Sequence, residues 1–149
     1  MKFNIKALLP FALLFGNLLL GQQSENKEVT APIHNLFLAM KNANPELLKS
    51  VFTDAVIMQS VATDGNVKNE KIEDFIGSVS KFSKNDLDER ISIASVQVDG
   101  NLASVFTPYE FYFKGKFSHC GANSFQLVKQ NNVWKIQYLI DTRRKDCKK

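Results

Sequence analysis

The chain has 149 residues, of which 44% are hydrophobic, 23% charged and 11% aromatic. A chain of this length forms one domain, and its twelve Phe, three Tyr and one Trp exclude a disordered protein. The formal charge of +4 is too small to indicate a nucleic-acid-binding surface across the whole domain.

The N-terminus predicts a cleavable export signal. Lys2 and Lys6 flank the start of an almost continuous apolar run over residues 7–20, which is shorter than the roughly 20 residues of a membrane span. Small and polar residues follow, as in a cleavage region; the alternative is an uncleaved anchor. We therefore expect an exported protein, periplasmic or secreted, with no stable membrane association after cleavage. The predicted parts are a signal (1–21), a flexible leader (22–28) and one domain with a short basic tail (29–149).

The two cysteines, Cys120 and Cys147, both lie outside the signal. In an exported protein an even number of cysteines favours a disulfide, and this bridge would tie the C-terminal tail to a predicted strand. The alternatives are two reduced thiols, or Cys120 as a nucleophile beside His119. The spacing of the Cys and His residues does not match a zinc site, so we expect no metal.

The first half of the domain predicts three helices and one strand. Thr30 is a predicted helix cap with Pro32 in the first turn, and Asn44-Pro45-Glu46 is a second start signal. A strand is predicted at 55–61, followed by a turn at Asp64-Gly65-Asn66. Asn69 is predicted to open the third helix, whose inner face would consist of Ile72, Phe75, Ile76, Val79 and Phe82.

The second half predicts four long strands, at 89–98, 102–114, 116–129 and 133–142. The alternation of the first strand slips near Ala94-Ser95, which predicts a β-bulge. Asp99-Gly100-Asn101 is a hairpin signal. In the last strand, the residues predicted to share one face are Trp134, Ile136, Tyr138 and Ile140.

This order of elements predicts an α+β fold in which three amphipathic helices cover one face of an antiparallel sheet. The predicted bulge and the long aromatic strands favour strong curvature. A curved sheet wrapped around a helix would leave a cone with an apolar pocket.

An ordered set of short segments resembles the nuclear transport factor 2-like (NTF2-like) superfamily, which includes ketosteroid isomerases and polyketide cyclases. The resemblance covers about residues 29–147 and is closest to small exported bacterial members, some of which are labelled lumazine-binding. It implies a cone-shaped α+β fold, a pocket and often a homodimer, but no single reaction. The segments are Phe75-Ile76, Asp99-Gly100, Thr107-Pro108-Tyr109-Glu110-Phe111, Ser118-His119-Cys120-Gly121, Phe125-Gln126-Leu127, Trp134-Lys135-Ile136 and Asp141-Thr142-Arg143-Arg144.

Three residues are candidates for acid–base chemistry in such a pocket. His119 shares a strand face with Phe117 and Phe125, and a half-buried imidazole is a suitable general base. Asp141 is the alternative base, although it faces away from the pocket if Trp134, Ile136, Tyr138 and Ile140 fill it, unless a bulge intervenes. In the isomerases of this fold a phenol donates to a ligand carbonyl, and Tyr109 is the candidate for that role. Asp54 and Glu110 compete with Asp141 for the carboxylate position, and a structural role remains open for each residue.

Ligand binding is the leading functional hypothesis, because aromatic residues are abundant while a catalytic set is incomplete. Arg143 would hold an anionic group in a two-point contact, or form an ion pair with Asp141. We expect a small apolar or anionic organic ligand and no cofactor. The alternatives are an isomerase, cyclase or dehydratase-like enzyme, and a dimeric interaction module. The predicted ligand contacts are Phe37, Met40, Phe75, Phe111, His119, Asn123, Phe125, Tyr138 and Arg143.

Overall fold

The computed structural model describes the backbone of residues 9–147 and the side chains of residues 26–147. The start of the predicted export signal lies outside the described residues. Within them, no helix is both long enough and apolar enough to cross a membrane. The elements in chain order are α1 (Leu9–Asn42), α2 (Pro45–Ser50), β1 (Phe52–Val61), β2 (Val67–Glu70), α3 (Ile72–Val79), β3 (Leu87–Ile91), β4 (Ser95–Asp99), β5 (Leu102–Phe113), β6 (Lys116–Gln130) and β7 (Val133–Arg144).

The strands form one sheet in the order β2-β1-β7-β6-β5-β3, with β4 also paired to β5. The predicted α+β architecture, helices first and then long strands, is confirmed. The sheet is mixed, however, and not wholly antiparallel, because β1 pairs with β7 in parallel. We call the face that α1 covers the inner face of the sheet, and the opposite one the outer face.

The core lies between α1 and the inner face. Val29, Ile33, Leu36 and Met40 recur at helical spacing and are buried, and this stripe contributes the apolar burial that holds the helix on the sheet. The largest fully buried side chain, Phe125 of β6, meets Phe37 edge to face, with ring centroids 6.3 Å apart. The other buried apolar side chains of the cluster include Leu48, Phe52, Met58, Val79, Val105, Leu127, Trp134, Ile136 and Leu139.

The predicted start of the first helix at Thr30 is wrong. The helix already includes residues 22–28, for which the sequence predicts a flexible leader. The Thr30 hydroxyl donates back to the carbonyl oxygen of Asn26 at 3.0 Å, as an interior threonine does and a cap does not. Val29 is fully buried, so the apolar stripe of the helix continues upstream of the predicted cap.

The third helix begins at Ile72 rather than Asn69. The predicted turn at Asp64-Gly65-Asn66 is present, with Gly65 at a φ of +84° and the Asp64 carboxylate accepting from the Asn66 amide at 3.0 Å. This turn returns the chain along β1, so that residues 67–70 become β2, with Glu70 opposite Met58. The hairpin places Glu70 at the start of α3, beside the cavity described below.

The predicted β-bulge near Ala94-Ser95 is present, at the point where the predicted strand divides into β3 and β4. Ile91 lies opposite Tyr109 and Ser95 lies opposite Phe106, so this segment has one residue more than the facing part of β5. Both strands pair with β5, and the segment between them is spanned by amide hydrogen bonds from Ser92 to Pro108 at 3.0 Å and from Ala94 to Phe106 at 2.9 Å. The extra residue is thus accommodated while the segment keeps its backbone hydrogen bonds to β5.

The prediction that Trp134, Ile136, Tyr138 and Ile140 share one face is wrong, because β7 contains a bulge at Gln137. Ile136 lies opposite Leu127, but Tyr138 lies opposite Gln126, so Gln137 has no partner on β6. Trp134 and Ile136 point into the core. Beyond the bulge the parity reverses, and the residues on the inner face are Leu139, Asp141 and Arg143.

The predicted disulfide between Cys120 and Cys147 is confirmed. Cys120 is buried in β6, and Cys147 follows the end of β7. The bridge therefore fixes the C-terminal tail against the outer face of the sheet, beside the Arg144 carbonyl.

Candidate functional site

A cavity of about 590 Å³ opens between α3 and the inner face of the sheet, within the size range of small-molecule sites. Aromatic side chains from α3, β5 and β6 form its walls, and charged side chains from β2, α3 and β7 stand at its mouth. Its lining residues are Met40, Asn69, Glu70, Lys71, Asp74, Phe75, Ser78, Val79, Phe82, Leu87, Phe111, His119 and Arg143. A larger depression of about 710 Å³ lies chiefly on the outer face, beside the disulfide.

His119 forms part of the aromatic wall. Its ring lies 5.0 Å from that of Phe111 and 5.8 Å from that of Tyr109, measured between centroids. Its Nδ1 is 3.1 Å from the Ser118 hydroxyl. Desolvation, with the positive charge of Arg143 as a second cause, lowers the pKa of His119 below its usual value. The imidazole is therefore neutral at pH 7, and it offers a flat ring and one hydrogen-bonding nitrogen.

Arg143 stands at the mouth of the cavity and is already paired with two acids. Its Nε donates to Asp141 at 2.8 Å, and a terminal nitrogen donates to Glu70 at 3.2 Å. The bulge at Gln137 is what turns Arg143 and Asp141 to the inner face. Because two carboxylates compensate this guanidinium, the geometry does not favour the two-point contact with an anionic ligand that the sequence predicts.

Glu89 is a site residue that sequence reasoning missed. It lies on β3 opposite Phe111, whose other neighbour is His119. Its Oε1 accepts from the Asn123 side-chain amide at 2.9 Å, and that amide also donates to Thr107 at 3.3 Å. Burial raises the pKa of Glu89 to about 7; the Asn123 hydrogen bond opposes this shift, and the nearby Asp141 charge reinforces it. The signal in the sequence is a charged residue on the same strand parity as Leu87 and Ile91.

Tyr109 is placed for structure rather than for ligand contact. Its hydroxyl donates to the Thr142 carbonyl at 2.9 Å, and its ring lies over Gly121, where a Cβ atom would collide with the ring and with that carbonyl. Burial and the charges of Glu89 and Asp141 raise the pKa of Tyr109. The phenol is thus neutral, and its proton is already committed to the backbone.

The remaining predicted residues fall in three places. Met40, Phe75, Phe111, His119 and Arg143 line the cavity, while Phe37 and Phe125 belong to the core and Asn123 is buried beneath Glu89. Tyr138 lies on the outer face, where its hydroxyl donates to Gln59 at 2.7 Å. Of the two competing carboxylates, Glu110 accepts from Tyr112 on the outer face, at 2.9 Å, and Asp54 lies beside a separate pocket near α2.

Among the described residues, no three His, Cys, Asp or Glu side chains are arranged to hold a metal ion. What the cavity offers is an aromatic wall, a neutral imidazole and a set of carboxyl groups. These groups suit the binding of a flat organic molecule that donates hydrogen bonds.

Comparison with solved structures shows the fold. An NTF2-like protein of unknown function from Silicibacter pomeroyi matches at a TM-score of 0.67 and 17% identity, covering 83% of this chain and 98% of its own. An NTF2-like protein of unknown function from Shewanella baltica matches at a TM-score of 0.65 and 14% identity, and the match covers 81% of this chain and 94% of that protein. A structure described as a putative dehydratase of the NTF2-like family, from Streptomyces avermitilis, matches at a TM-score of 0.62 and 15% identity. This match covers 83% of this chain and 98% of that protein.

No curated protein matches the sequence. A family model does: the family described as "Putative lumazine-binding" matches residues 24–137, a segment that includes all of the cavity walls except Arg143. The chain therefore belongs to this family, and it shares the fold of the NTF2-like structures.

Proposed function

We propose that the protein is an exported binding domain that holds a small, flat heteroaromatic molecule in the cone cavity. The observation that carries this proposal is the convergence of Phe75, Phe82, Phe111 and His119 around one cavity with polar groups at its mouth. The family description supports a lumazine, a bicyclic heteroaromatic dione, as the first ligand to test.

Stacking is the interaction that the cavity offers most directly. The Phe111 and His119 rings are adjacent, tilted by 41°, and present a broad apolar wall to an incoming ring. Offset or edge contacts with such rings contribute about 0.5–1.5 kcal/mol each beyond the burial of area. A molecule that fills the cavity would also cover Met40 and Val79, two of its apolar lining residues.

The test is a titration of purified mature protein with lumazine, followed by ligand fluorescence. Phe111→Ala should weaken binding at least about tenfold, since it removes one stacking partner and its buried area. Phe106→Ala is the matched control, because Phe106 lies on the same strand but on the outer face, 44% exposed. Equal affinities for all three proteins, or no binding by the wild type, would contradict the proposal.

Export is the second part of the proposal. It is supported by the apolar N-terminal run and by the disulfide, since structural disulfides persist in oxidising compartments. N-terminal sequencing of the protein from a periplasmic or culture fraction should give a chain beginning near residue 22. A cytoplasmic, full-length and reduced protein would contradict export.

A homodimer is a second candidate role, and the outer face favours it. The register places uncharged side chains across five strands, so two copies could meet there without like-charge repulsion. The row through the middle of this face consists of Gln59, Ile140, Ser124, Phe106 and Ser95. The flanking rows are Ile57, Tyr138, Gln126, Ser104 and Gln97 on one side, and Val61, Thr142, Ala122 and Pro108 on the other.

Sedimentation of the mature protein at high concentration tests this role. A dimer of the wild type should dissociate in Ile140→Arg, because the substitution puts a charge at the centre of the face. Leu38→Arg is the control, since Leu38 is 49% exposed on α1, away from the sheet. A monomeric wild type, or equal dissociation of both variants, would count against the dimer.

Acid–base catalysis has less support than binding. Of the predicted catalytic groups, Tyr109 donates to the backbone and Asp141 is paired with Arg143. His119 alone lines the cavity, without a described carboxylate partner of its own. The likeness to a dehydratase structure at 15% identity concerns the fold.

A further inference from the structure

The cone is acidic although the chain as a whole is basic. Glu70 and Asp74 line the cavity at its mouth, together with Lys71 and Arg143. Asp141 and Glu89 stand behind them, where both affect the pKa of Tyr109. With all four acids ionised, the two cations leave the cone with an excess of two negative charges. An anionic ligand would meet repulsion there, whereas a hydrogen-bond donor or a cation would be attracted.

Glu89 lies in the same row of the sheet as two cavity residues. It is opposite Phe111 on β5, which is opposite His119 on β6, and both of these side chains line the cavity. Leu87, which precedes Glu89 by two residues on the same strand face, also lines it. The side chains of a row project to one side, so Glu89, which is not itself a lining residue, lies on the inner face directly beside the wall of the cavity.

One oxygen of Glu89 is held and the other is available. Asn123, itself 4% exposed, donates to Oε1 at 2.9 Å. No hydrogen bond or ion pair among the described residues engages Oε2, and this atom is not among the buried side-chain atoms that lack a partner. Oε2 is therefore unpaired among the described residues and not fully enclosed, in a part of the fold where Thr107 and Asn123 are buried.

Building on the proposed function, we propose that Glu89 selects the ligand of the cone. Its carboxylate accepts a hydrogen bond from a ring N–H of a neutral or cationic heterocycle whose ring lies against Phe111 and His119. Capture of such a ligand requires Glu89 in its ionised form, so binding is coupled to loss of the Glu89 proton. A neutral or cationic N–H donor thus replaces the anionic ligand that was predicted from Arg143 in the sequence.

The sign of the pH dependence follows from the surroundings of Glu89. Burial and the Asp141 charge raise its pKa to about 7, against the Asn123 hydrogen bond and the Arg143 charge. As the pH falls below 7, Glu89 gains a proton and its acceptor capacity for the ligand is reduced. Affinity for an N–H donor should therefore rise about fivefold between pH 6.0 and pH 7.0. The titratable or charged groups around it are Asp141, Arg143, Glu70, Asp74, Lys71, His119 and Tyr109.

The experiment compares two probes, lumazine and 1,3-dimethyllumazine, which lacks the two ring N–H donors. Fluorescence titrations at pH 6.0 and pH 7.0 use the wild type, Glu89→Gln and Glu110→Gln. Glu110 lies on the outer face, and among the described side chains it bonds only Tyr112, so it is the matched control. We expect the wild type and Glu110→Gln to bind lumazine about fivefold more tightly at pH 7.0 and to bind the dimethyl probe more weakly, with a flat profile. In Glu89→Gln, lumazine affinity should no longer depend on pH, and lumazine should no longer bind more tightly than the dimethyl probe.

The outcomes separate this inference from the proposed function. Lumazine binding that is flat with pH in the wild type, or a Glu89→Gln variant that keeps the slope, overturns the role of Glu89 and leaves cavity binding intact. No binding of either probe at either pH overturns both. If Glu89→Gln does not fold, the two probes on the wild type decide: equal affinity for both refutes donor selection.

Discussion

Gly121 shows how a single residue type can be required by the packing around it. It lies on β6 opposite both Tyr109 and Arg143, and the ring of Tyr109 covers it. A Cβ atom there would lie 2.6 Å from a ring carbon and would overlap the Thr142 carbonyl oxygen. The missing side chain is what allows the Tyr109 hydroxyl to reach that carbonyl.

We expect Gly121→Ala to destabilise the fold by roughly 3 kcal/mol or more, because the obstructing atoms are a backbone oxygen and a packed ring. Gly77→Ala is the control: nothing lies within 4 Å of a Cβ at that helical position, so it should stabilise by about 0.5–1 kcal/mol. Urea unfolding of both variants measures the difference. A Gly121→Ala protein as stable as the wild type would show that the Tyr109 ring is free to move.

Glu89 also makes stability depend on pH. Its pKa is raised to about 7 in the folded state from a usual 4.5, so the unfolded chain releases the proton first as the pH rises. The folded state therefore loses relative stability between about pH 4.5 and pH 7, and Glu89→Gln removes this loss. We expect the variant to exceed the wild type by up to about 3 kcal/mol at pH 8 and to match it near pH 4.5.

Urea midpoints of the wild type and Glu89→Gln at pH 4.5, 6 and 8 measure this effect. Asp88→Asn is an informative comparison, because Lys41 and Arg90 pair with that carboxylate and lower its pKa against a desolvation penalty. This comparison should have the opposite sign. The wild type should be more stable than Asp88→Asn at high pH and should lose this advantage as the pH falls and Asp88 is protonated. Parallel curves for the wild type and Glu89→Gln would refute the raised pKa.

Residue-level prediction succeeded where a strand pattern was regular. The odd parity of β5 and β6 correctly placed Phe111 and His119 on the inner face. It wrongly placed Phe117 there, because the register shifts by one residue and Phe117 lies opposite Tyr112 on the outer face. It did not identify Glu89, because an isolated acid on a short strand gives no indication of whether it is buried. It also could not decide the orientation of Arg143, since that depends on a bulge six residues earlier.

At the scale of elements, the bend of β7 against β1 determines what the cone contains. The register between these strands shifts, because Phe52 lies opposite Ile136 but Ile57 lies opposite Tyr138. Gln137 fills the irregularity with its side-chain amide, which accepts from Thr53 at 2.9 Å and donates to the Ala55 carbonyl at 2.9 Å. The side chain thus replaces backbone hydrogen bonds that the paired bulges interrupt.

Gln137→Ala should therefore cost about 1–3 kcal/mol, since buried Thr53 loses its partner. Ligand affinity should also fall, because Asp141 and Arg143 depend on this bulge for their orientation. Gln126→Ala is the control: it removes one side-chain bond to Ser104, at 3.2 Å on the outer face, and should cost about 0.5–1.5 kcal/mol with affinity retained. If both substitutions changed stability and ligand affinity equally, Gln137 would have no special role in orienting the site.

Element prediction was accurate for long strands and poor at junctions. The hairpin at Asp99-Gly100-Asn101 and the strands that follow it lie within a few residues of their predicted bounds. The errors at Thr30 and Asn69 share a cause: a capping residue marks where a helix is able to begin, and tertiary contacts decide whether it does. For residues 67–70, pairing with β1 prevailed over helix propensity.

For the molecule as a whole, the disulfide joins the tail to the sheet across a sequence separation of 27 residues. On the chain-entropy model such a loop stabilises the fold by about 3–4 kcal/mol. Cys147→Ser is the cleaner variant, because Cys120 is buried and a serine there would add an unpaired hydroxyl.

We expect Cys147→Ser and reduced wild type to lose stability by similar amounts, measured by thermal unfolding with and without reductant. Every residue that lines the cavity lies in β7 or before it, so lumazine affinity in the folded Cys147→Ser protein should change less than twofold. A reductant-insensitive wild type would contradict the contribution of the bridge.

The parallel pairing of β1 with β7 has a consequence for the order of events during synthesis. Until residues 133–144 are made, β1 and its hairpin partner β2 have no connection to the remaining strands of the sheet. The sheet therefore cannot be completed until the last strand has been synthesised. If the chain is exported as proposed, a translocation pore that accepts only extended chains would receive it before the sheet is complete.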